Sequence, residues 1–244
     1  MRQQVLTIAE NVPLTENVLR MTLTGKDLEV QRPGCFVNLR LPDCYLRRPL
    51  SVYDSEPGWL TVIYKVVGRG TETLRHLTRG ETLDVLTGLG NGYDLSKAGD
   101  RPLLLGGGVG VPPLYLLAKR LRASGVPVKA VLGFNTAAEV FAEEAFRALG
   151  CETTVTTADG SYGRKGFVTD ALPERCSYFY TCGPEPMLRA VCRTVASSGE
   201  FSFEERMGCG FGACMGCSCQ TVGGPKRICR EGPVLTKEEI LWDD

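Results

Sequence analysis

From the N-terminus to about Leu95, apolar side chains alternate with polar ones in six short runs: QVLTIAENV, NVLRMTLTG, GCFVNLRLP, RPLSVYD, WLTVIYKVV and ETLDVLTGLG. A period of two puts every second side chain on one face of an extended chain, and such runs at regular spacing predict an antiparallel barrel or sandwich. A small β-barrel is expected. Turn-forming residues stand between the runs, at Gly25, Pro33-Gly34, Pro42-Asp43, Pro57-Gly58 and Gly90-Asn91-Gly92.

From Asp100 the pattern changes to apolar strands alternating with helical stretches, which predicts βαβ units around a parallel, Rossmann-like sheet. The strand candidates are 102–105, 128–134, 151–157 and 177–183. Between and after them, VPPLYLLAKRLRASG, TAAEVFAEEAFRALG and PEPMLRAVCRTVASSG show helical apolar spacing and end at glycine, a common stop signal. The polar stretch SKAGDR marks a boundary near Lys97 to Arg101. After Gly199 neither period persists, and glycine and cysteine dominate. The expected organisation is a β-barrel at 1–98, an α/β domain at 99–200 and a small C-terminal module at 201–244, with no internal repeat and no low-complexity linker.

Composition narrows the chemistry. The 244 residues are 43% hydrophobic and 23% charged, as in ordinary globular proteins. No apolar run approaches the roughly 20 residues of a membrane span, so no membrane role is expected. The start, MRQQVLTIAENVPL, lacks the regions of a secretory leader, which makes the cytoplasm the expected location. The 28 basic and 28 acidic residues cancel without a basic stripe, so nucleic acid is not an expected partner. The single histidine, His76, excludes a cluster ligated by two imidazoles. Eleven cysteines in such a chain point to reduced thiols used for metal or redox chemistry.

Five of those cysteines fall between Cys209 and Cys229. Cys209, Cys214, Cys217 and Cys229 follow C-x4-C-x2-C with a fourth cysteine eleven residues on, the spacing of a plant-type [2Fe-2S] site. Four thiolates complete the coordination of two irons bridged by two sulfides. Glycines at 208, 210, 212 and 216 let the loop wrap closely and turn backbone N–H groups to the sulfurs. A structural zinc site is the alternative, because four cysteines also hold Zn²⁺. The spacing is complete without Cys219, which is expected to be a buried or spare thiol.

Two further features suit nucleotides. LLLGGGVGVPPL puts Gly106, Gly107, Gly108 and Gly110 between a strand and a helix whose first turn accepts Pro112 and Pro113. That junction offers N–H groups and the helix dipole to a phosphate, although the run is not a full G-x-G-x-x-G and also fits a merely tight turn. Cys182, Gly183 and Pro184 follow the last strand of the expected sheet, at the edge where ligands bind in open α/β folds. In the barrel, Arg48-Pro49-Leu50-Ser51 combines a phosphate-binding cation with a hydroxyl, and GRGTET from Gly68 offers a second phosphate turn; either could equally be surface decoration.

In this order, RRPLS, VIYKVVGRGT, GGGVGVPPL, TADGSYG with GFVTD, CGPEPM and EERMGCGFGACMGCSC with CREGPV, the chain resembles the ferredoxin-reductase superfamily over essentially its whole length. Within it, the resemblance is strongest to the electron-transfer subunits of NAD-dependent dihydroorotate dehydrogenase. The resemblance implies a barrel that binds FAD, an α/β domain that binds NAD and a C-terminal [2Fe-2S] domain. It implies that Arg48, Pro49, Leu50 and Ser51 contact the flavin and its phosphates, that Ile63, Tyr64 and Lys65 line the FAD, and that Gly70 and Thr71 hold the pyrophosphate. Lys65 stands where the family often has arginine, which keeps the charge but loses the bidentate grip.

The implied partner is an FMN-containing catalytic subunit that oxidises dihydroorotate, in a heterotetramer of two copies of each chain. Electrons would pass singly through the cluster to FAD and as a hydride to NAD⁺, within pyrimidine biosynthesis. No general base is expected in this chain. Competing readings are the flavin/iron-sulfur subunit of a ferredoxin:NADP oxidoreductase or sulfide dehydrogenase, and a zinc-stabilised nucleotide sensor. For NAD against NADP, Asp159 would repel a 2′-phosphate while the nearby Arg164 would attract one.

Overall fold

The computed structural model describes residues 1–42 and 44–242; Asp43, with half of the expected Pro42-Asp43 turn, and Asp243 and Asp244 lie outside the described residues. Strands β1 (Arg2–Pro13), β2 (Val18–Thr24), β3 (Phe36–Arg40), β4 (Arg48–Glu56), β5 (Trp59–Lys65) and β6 (Thr82–Leu89) pair antiparallel and close into a barrel in the order β1-β2-β5-β4-β3-β6. Alternation decides the faces: Leu6, Ile8, Met21, Val37, Leu39 and Val62 fill the interior. Helix α1 (Arg69–His76), between β5 and β6, adds Leu74 to that interior. Asn11 closes the end of the helix, its Nδ2 donating to the Leu74 and Leu77 carbonyls at 2.9 Å each.

The second unit runs β7 (Leu103–Gly107), α2 (Pro112–Ala123), β8 (Lys129–Phe134), α3 (Glu143–Ala148), β9 (Glu152–Thr157), β10 (Arg164–Lys165), β11 (Phe179–Cys182), α4 (Glu185–Thr194) and β12 (Gly199–Ser202). A hairpin of β13 (Ser218–Thr221) and β14 (Gly224–Arg227) follows, and β15 (Val234–Thr236) ends the strands. The large sheet has the order β10-β9-β8-β7-β11-β12-β15, parallel except for the last pair. The chain builds outward from β7 to β10, then returns to the other flank of β7 as β11. That reversal is a topological switch point, and the crevice beyond the carboxyl ends of β7 and β11 is where open α/β sheets bind ligands.

Two local expectations change. TAAEVFAEEAFRALG is not one helix but a single turn at Ala137–Glu139 and α3. Ala142 between them takes φ 63°, which ends any continuous helix, and Phe141 is diverted to pack on Phe134 at 5.3 Å between ring centroids. At the C-terminus, β12 crosses the boundary expected after residue 200, and β15 returns from the C-terminal segment to the edge of the nucleotide sheet. The cysteine loop is therefore an excursion between two adjacent strands. Asn91, expected only as a turn residue, anchors the return: its Nδ2 donates to the Glu231 and Val234 carbonyls, and its Oδ1 accepts from Val234 N–H.

The barrel and sheet are locked together. Tyr53 on β4 stacks on Tyr115 of α2 at 4.2 Å, and Lys119 Nζ lies 2.9 Å from Asp54 and 2.8 Å from Glu56. At the linker, Glu200 of β12, 4% exposed, accepts from the Asp94 N–H at 2.9 Å. Burial pushes its carboxyl from 4.5 up to about 7, against the lowering by that N–H. Between these values the unfolded chain has released the proton and the folded chain has not, so stability falls as pH rises; above about 7 the cost is about 3 kcal/mol. Glu200→Gln keeps an acceptor for Asp94 and is expected to melt higher than the parent at about pH 8, with the gap shrinking toward about pH 5. An equal gap at both pH values would remove Glu200 as its cause.

Candidate cofactor sites

At the switch point lies a cavity of about 870 Å³, within the range of small-molecule sites. Gly107, Gly108 and Gly110 line it together with the adjoining Gly183 and Pro184. Gly110 has no alternative: a Cβ there would lie 2.2 Å from the Cys182 carbonyl oxygen. Gly108 takes φ 52°. Gly106 is buried at the end of β7, where a Cβ would meet Val111 at 2.9 Å, so it serves the close packing of helix on strand. Cys182 is also buried, 2% exposed, and burial pushes its thiol well up. It supports the wall without lining it.

Thr156, Asn135, Phe167 and Glu204 also line the cavity, and sequence reasoning did not name them. Thr156 and Asn135 had no signal but position, near the carboxyl end of β9 and directly after β8, whereas Phe167 and Glu204 lie inside the GFVTD and EERMGCGFGACMGCSC motifs. Thr156 Oγ1 is buried without a hydrogen-bond partner. A buried hydroxyl with none is costly, so a polar ligand suits this cavity. With the glycine cradle, the residues fit a dinucleotide. Asp159 and Arg164 are not among the lining residues; Asp159 Oδ1 accepts from Ser161 N–H at 2.9 Å and from its hydroxyl at 2.7 Å.

On the barrel, the Arg48 guanidinium lies against the first turn of α1, where a Cβ on Gly70 would be 2.2 Å from Arg48 Nε. The sequence thus brings together a cation and a helix start, as an anionic diphosphate requires. Thr71 is already engaged: its Oγ1 accepts from Val67 and Gly68 N–H and donates to Gly68 O. Pro49 and Ser51 pair with Asn38 and Phe36 of β3, on the outer face. Leu50 packs against the barrel interior. Ile63 joins the core shared with the α/β unit, whereas the Tyr64 ring is turned into the barrel, its hydroxyl donating to Asn11 Oδ1 at 3.0 Å. Lys65 faces the switch-point cavity and pairs with Glu139 at 3.6 Å.

The cysteine loop rests on the outer face of β3 and β6, where Phe36, Leu86 and Leu89 pack with Cys217, Ile228 and Cys229. Its thiols associate two by two: Cys209 with Cys214, and Cys217 with Cys229, with Cys209 and Cys229 close enough to repel as thiolates. Two irons bridged by sulfides use four thiolates in two such pairs. Burial raises Cys209, but the N–H groups of Phe211, Cys214 and Ala213 outweigh it and bring the thiol down to about 6. Burial and then the Cys217 thiol push Cys229 up to about 12. Ala213 N–H donates to Cys209 Sγ at 3.2 Å and Cys229 N–H to Cys217 Sγ at 3.4 Å. Arg227, paired with Glu231, pins the loop through the Gly212 carbonyl at 2.6 Å. These donors suit thiolate sulfur. Cys219, on β13, is half-buried beside the group, and burial raises its thiol.

Residues 204–241, which hold all four cysteines, match a family model described as the iron-sulfur cluster binding domain of dihydroorotate dehydrogenase B. The dihydroorotate dehydrogenase B (NAD(+)) electron transfer subunit of Bacillus caldolyticus is 45% identical, across 97% of this chain and 97% of its own. The chain belongs to the family of dihydroorotate dehydrogenase B electron transfer subunits. The family's subunit from Fusobacterium nucleatum subsp. nucleatum is 40% identical over 98% of this chain and 99% of its own. Among solved structures, a chain of an NADH-dependent reduced ferredoxin-NADP oxidoreductase superposes with a TM-score of 0.88 at 32% identity, covering 98% of this chain and 90% of that one. Phthalate dioxygenase reductase, at 19% identity, shares the fold, with a TM-score of 0.66 over 79% of this chain and 64% of its own. The three-part architecture expected from the sequence is the observed one. An electron transfer subunit implies a catalytic dihydroorotate dehydrogenase partner. Among the described residues no helix is long and apolar enough to cross a membrane.

Proposed function

We propose that this chain takes electrons from the FMN of a dihydroorotate-oxidising subunit and delivers them to NAD⁺, within a heterotetramer of two copies of each chain. The observation that carries this reading is the placement of the three sites: the cysteine loop sits on the outer barrel face beside the Arg48–Ser51 strand, and the dinucleotide cavity opens between barrel and sheet. When bound, the [2Fe-2S] cluster supplies one-electron transfer, and FAD supplies the exchange between single electrons and the hydride that NAD⁺ accepts.

The residues bind and orient. Cys209, Cys214, Cys217 and Cys229 hold the cluster, and the loop N–H groups donate to its sulfur ligands. Arg48 and the backbone at Gly70 hold the FAD diphosphate, Pro49 and Ser51 face the flavin, Leu50 and Ile63, whose side chains pack into the protein core, reach it by backbone, and Lys65 contributes a point charge. Tyr64 and Thr71, whose side chains are engaged elsewhere, contribute backbone only. Gly107, Gly108, Gly110, Gly183 and Pro184 receive NAD, with Gly106 and Cys182 supporting them from beneath. Exposed Phe211 and Met215, beside exposed Cys214, form the face on which the catalytic subunit docks.

Dihydroorotate-dependent NAD⁺ reduction by the co-purified, cofactor-loaded pair tests this function; its absence from a fully loaded pair refutes it. In the same assay, kcat/KM for NAD⁺ is expected to exceed that for NADP⁺ by at least about tenfold, or about 1.4 kcal/mol. Asp159 lies outside the cavity lining, but its carboxylate, which Ser161 holds below the ordinary range, stays ionised and repels a 2′-phosphate through space. Asp159→Ser should narrow the ratio, and an unchanged ratio would remove Asp159 from the selection.

A further inference from the structure

Asn38 stands where the cysteine loop meets the barrel. Its neighbours on β3, Val37 and Leu39, point into the barrel interior, so Asn38 faces outward with Phe36 and lies directly opposite Pro49 of β4. The residue is 1% exposed. Its Nδ2 donates to the Cys209 carbonyl at 3.3 Å, across 171 positions of sequence. Gly210 lies so close that a Cβ there would be 2.2 Å from Asn38 Nδ2, so the loop is glycine where the carboxamide meets it. The other end of the carboxamide is unsatisfied: Oδ1 is buried and has no hydrogen-bond partner.

A polar side chain buried to this degree with one half unpaired costs stability, whereas an apolar side chain of similar size would cost less. The structure keeps the polar group where the cluster ligand loop meets the strand paired with the flavin-facing Arg48–Ser51. Loop-to-barrel contact alone does not require it, since Phe36, Leu86 and Leu89 already bury the loop. The unpaired oxygen needs a donor, and FAD carries several, in the imide N–H of its ring and the hydroxyls of its ribityl chain.

We propose that Asn38 is a positioning residue that sets the cluster against the flavin: its Nδ2 holds the Cys209 carbonyl and its Oδ1 accepts from a donor of bound FAD. The proposal rests on the flavin lying on Arg48–Ser51. One carboxamide then fixes the separation of the two redox groups, and seating FAD and ordering the Cys209 loop become linked events.

Asn38→Leu removes both hydrogen bonds while keeping the bulk, and Asn38→Asp keeps an oxygen toward FAD but loses the donor to Cys209. Three quantities are measured on the purified chain: the FAD dissociation constant, the electron paramagnetic resonance spectrum and midpoint potential of the reduced cluster, and the melting temperature without FAD. Asn38→Leu is expected to weaken FAD about 2- to 10-fold, to alter the cluster spectrum and potential, and to leave the FAD-free melting temperature unchanged or higher. Asn38→Asp should alter the cluster signal while retaining FAD more tightly than the leucine variant. Unchanged FAD affinity in Asn38→Leu overturns the proposal and assigns the oxygen to a trapped water; an unchanged cluster signal overturns it as well. Arg48→Ala separates the two levels. If that variant loses FAD while Asn38→Leu is silent, only the role of Asn38 fails; if it binds FAD as the parent does, the flavin placement itself fails.

Discussion

Cys214→Ser is expected to remove the cluster and, with it, more than about 100-fold of dihydroorotate-dependent NAD⁺ reduction. Outer-sphere changes at metal sites cost about 10- to 100-fold, and loss of a ligand exceeds them. Serine is a poor substitute for a thiolate at the cluster, because its hydroxyl gives up its proton far less readily than a thiol does. Cys214 is the informative choice among the four: it is exposed, whereas Cys217 and Cys229 are buried in the small core under the loop, where substitution also costs packing. NADH-driven ferricyanide reduction requires the nicotinamide cavity and the flavin but not the cluster. It should stay within about twofold, as for other exposed substitutions. Acid-labile sulfide and the visible spectrum report the cluster directly. A Cys214→Ser protein that keeps its sulfide would break the ligand assignment and turn attention to Cys219.

Gly110→Val should act on the opposite end of the relay. Its Cβ would lie 2.2 Å from the Cys182 carbonyl oxygen and 2.5 Å from the Gly183 nitrogen. Both are backbone atoms of the neighbouring strand end and cannot rotate away. Overpacking of this kind costs about 1–3 kcal/mol or more, and the melting temperature is expected to fall by roughly 2–12 °C. Because the wall of the cavity must move, NADH oxidation should fall further than stability alone explains, while FAD content is maintained. Gly108→Ala makes the contrast. Nothing lies within 4 Å of its Cβ position, but φ is +52°, so only backbone strain of about 1–2 kcal/mol is expected. If the two variants behave alike, close approach of β7 and β11 is not what Gly110 provides.

The cysteine loop and the glycine run stood out in the sequence for a local reason. Cys209, Cys214 and Cys217 lie within nine residues, and C-x4-C-x2-C is a statement about one stretch of backbone. Gly107, Gly108 and Gly110 likewise belong to one strand-helix turn. Thr156 and Asn38 were not legible. Each is an ordinary polar residue in a strand, and its significance is that one atom is buried without a partner at a surface assembled from distant segments. The resemblance put Ile63, Tyr64 and Lys65 together along the FAD; a strand sends adjacent side chains to opposite faces, and the Tyr64 side chain falls on the barrel side. Asp159 and Arg164, weighed against each other for NAD or NADP, both lie outside the lining of the cavity, and Asp159 Oδ1 is held by Ser161.

Local periodicity and spacing were enough to determine that a barrel precedes a parallel sheet, where the chain changes from one to the other, and which four cysteines form one group. Those properties depend on neighbours in sequence, whose geometry is set by the pleat, the helical turn and the special angles open to glycine. Tertiary structure alone decided which strands are adjacent, where the sheet reverses, that β15 returns beside β12, and that the cysteine loop comes to rest on β3 next to Arg48–Ser51. These are contacts between surfaces far apart along the chain. Many surfaces share the same alternation of apolar and polar residues, so only their complementary shapes and the satisfaction of groups such as Asn91 and Glu200 select among them.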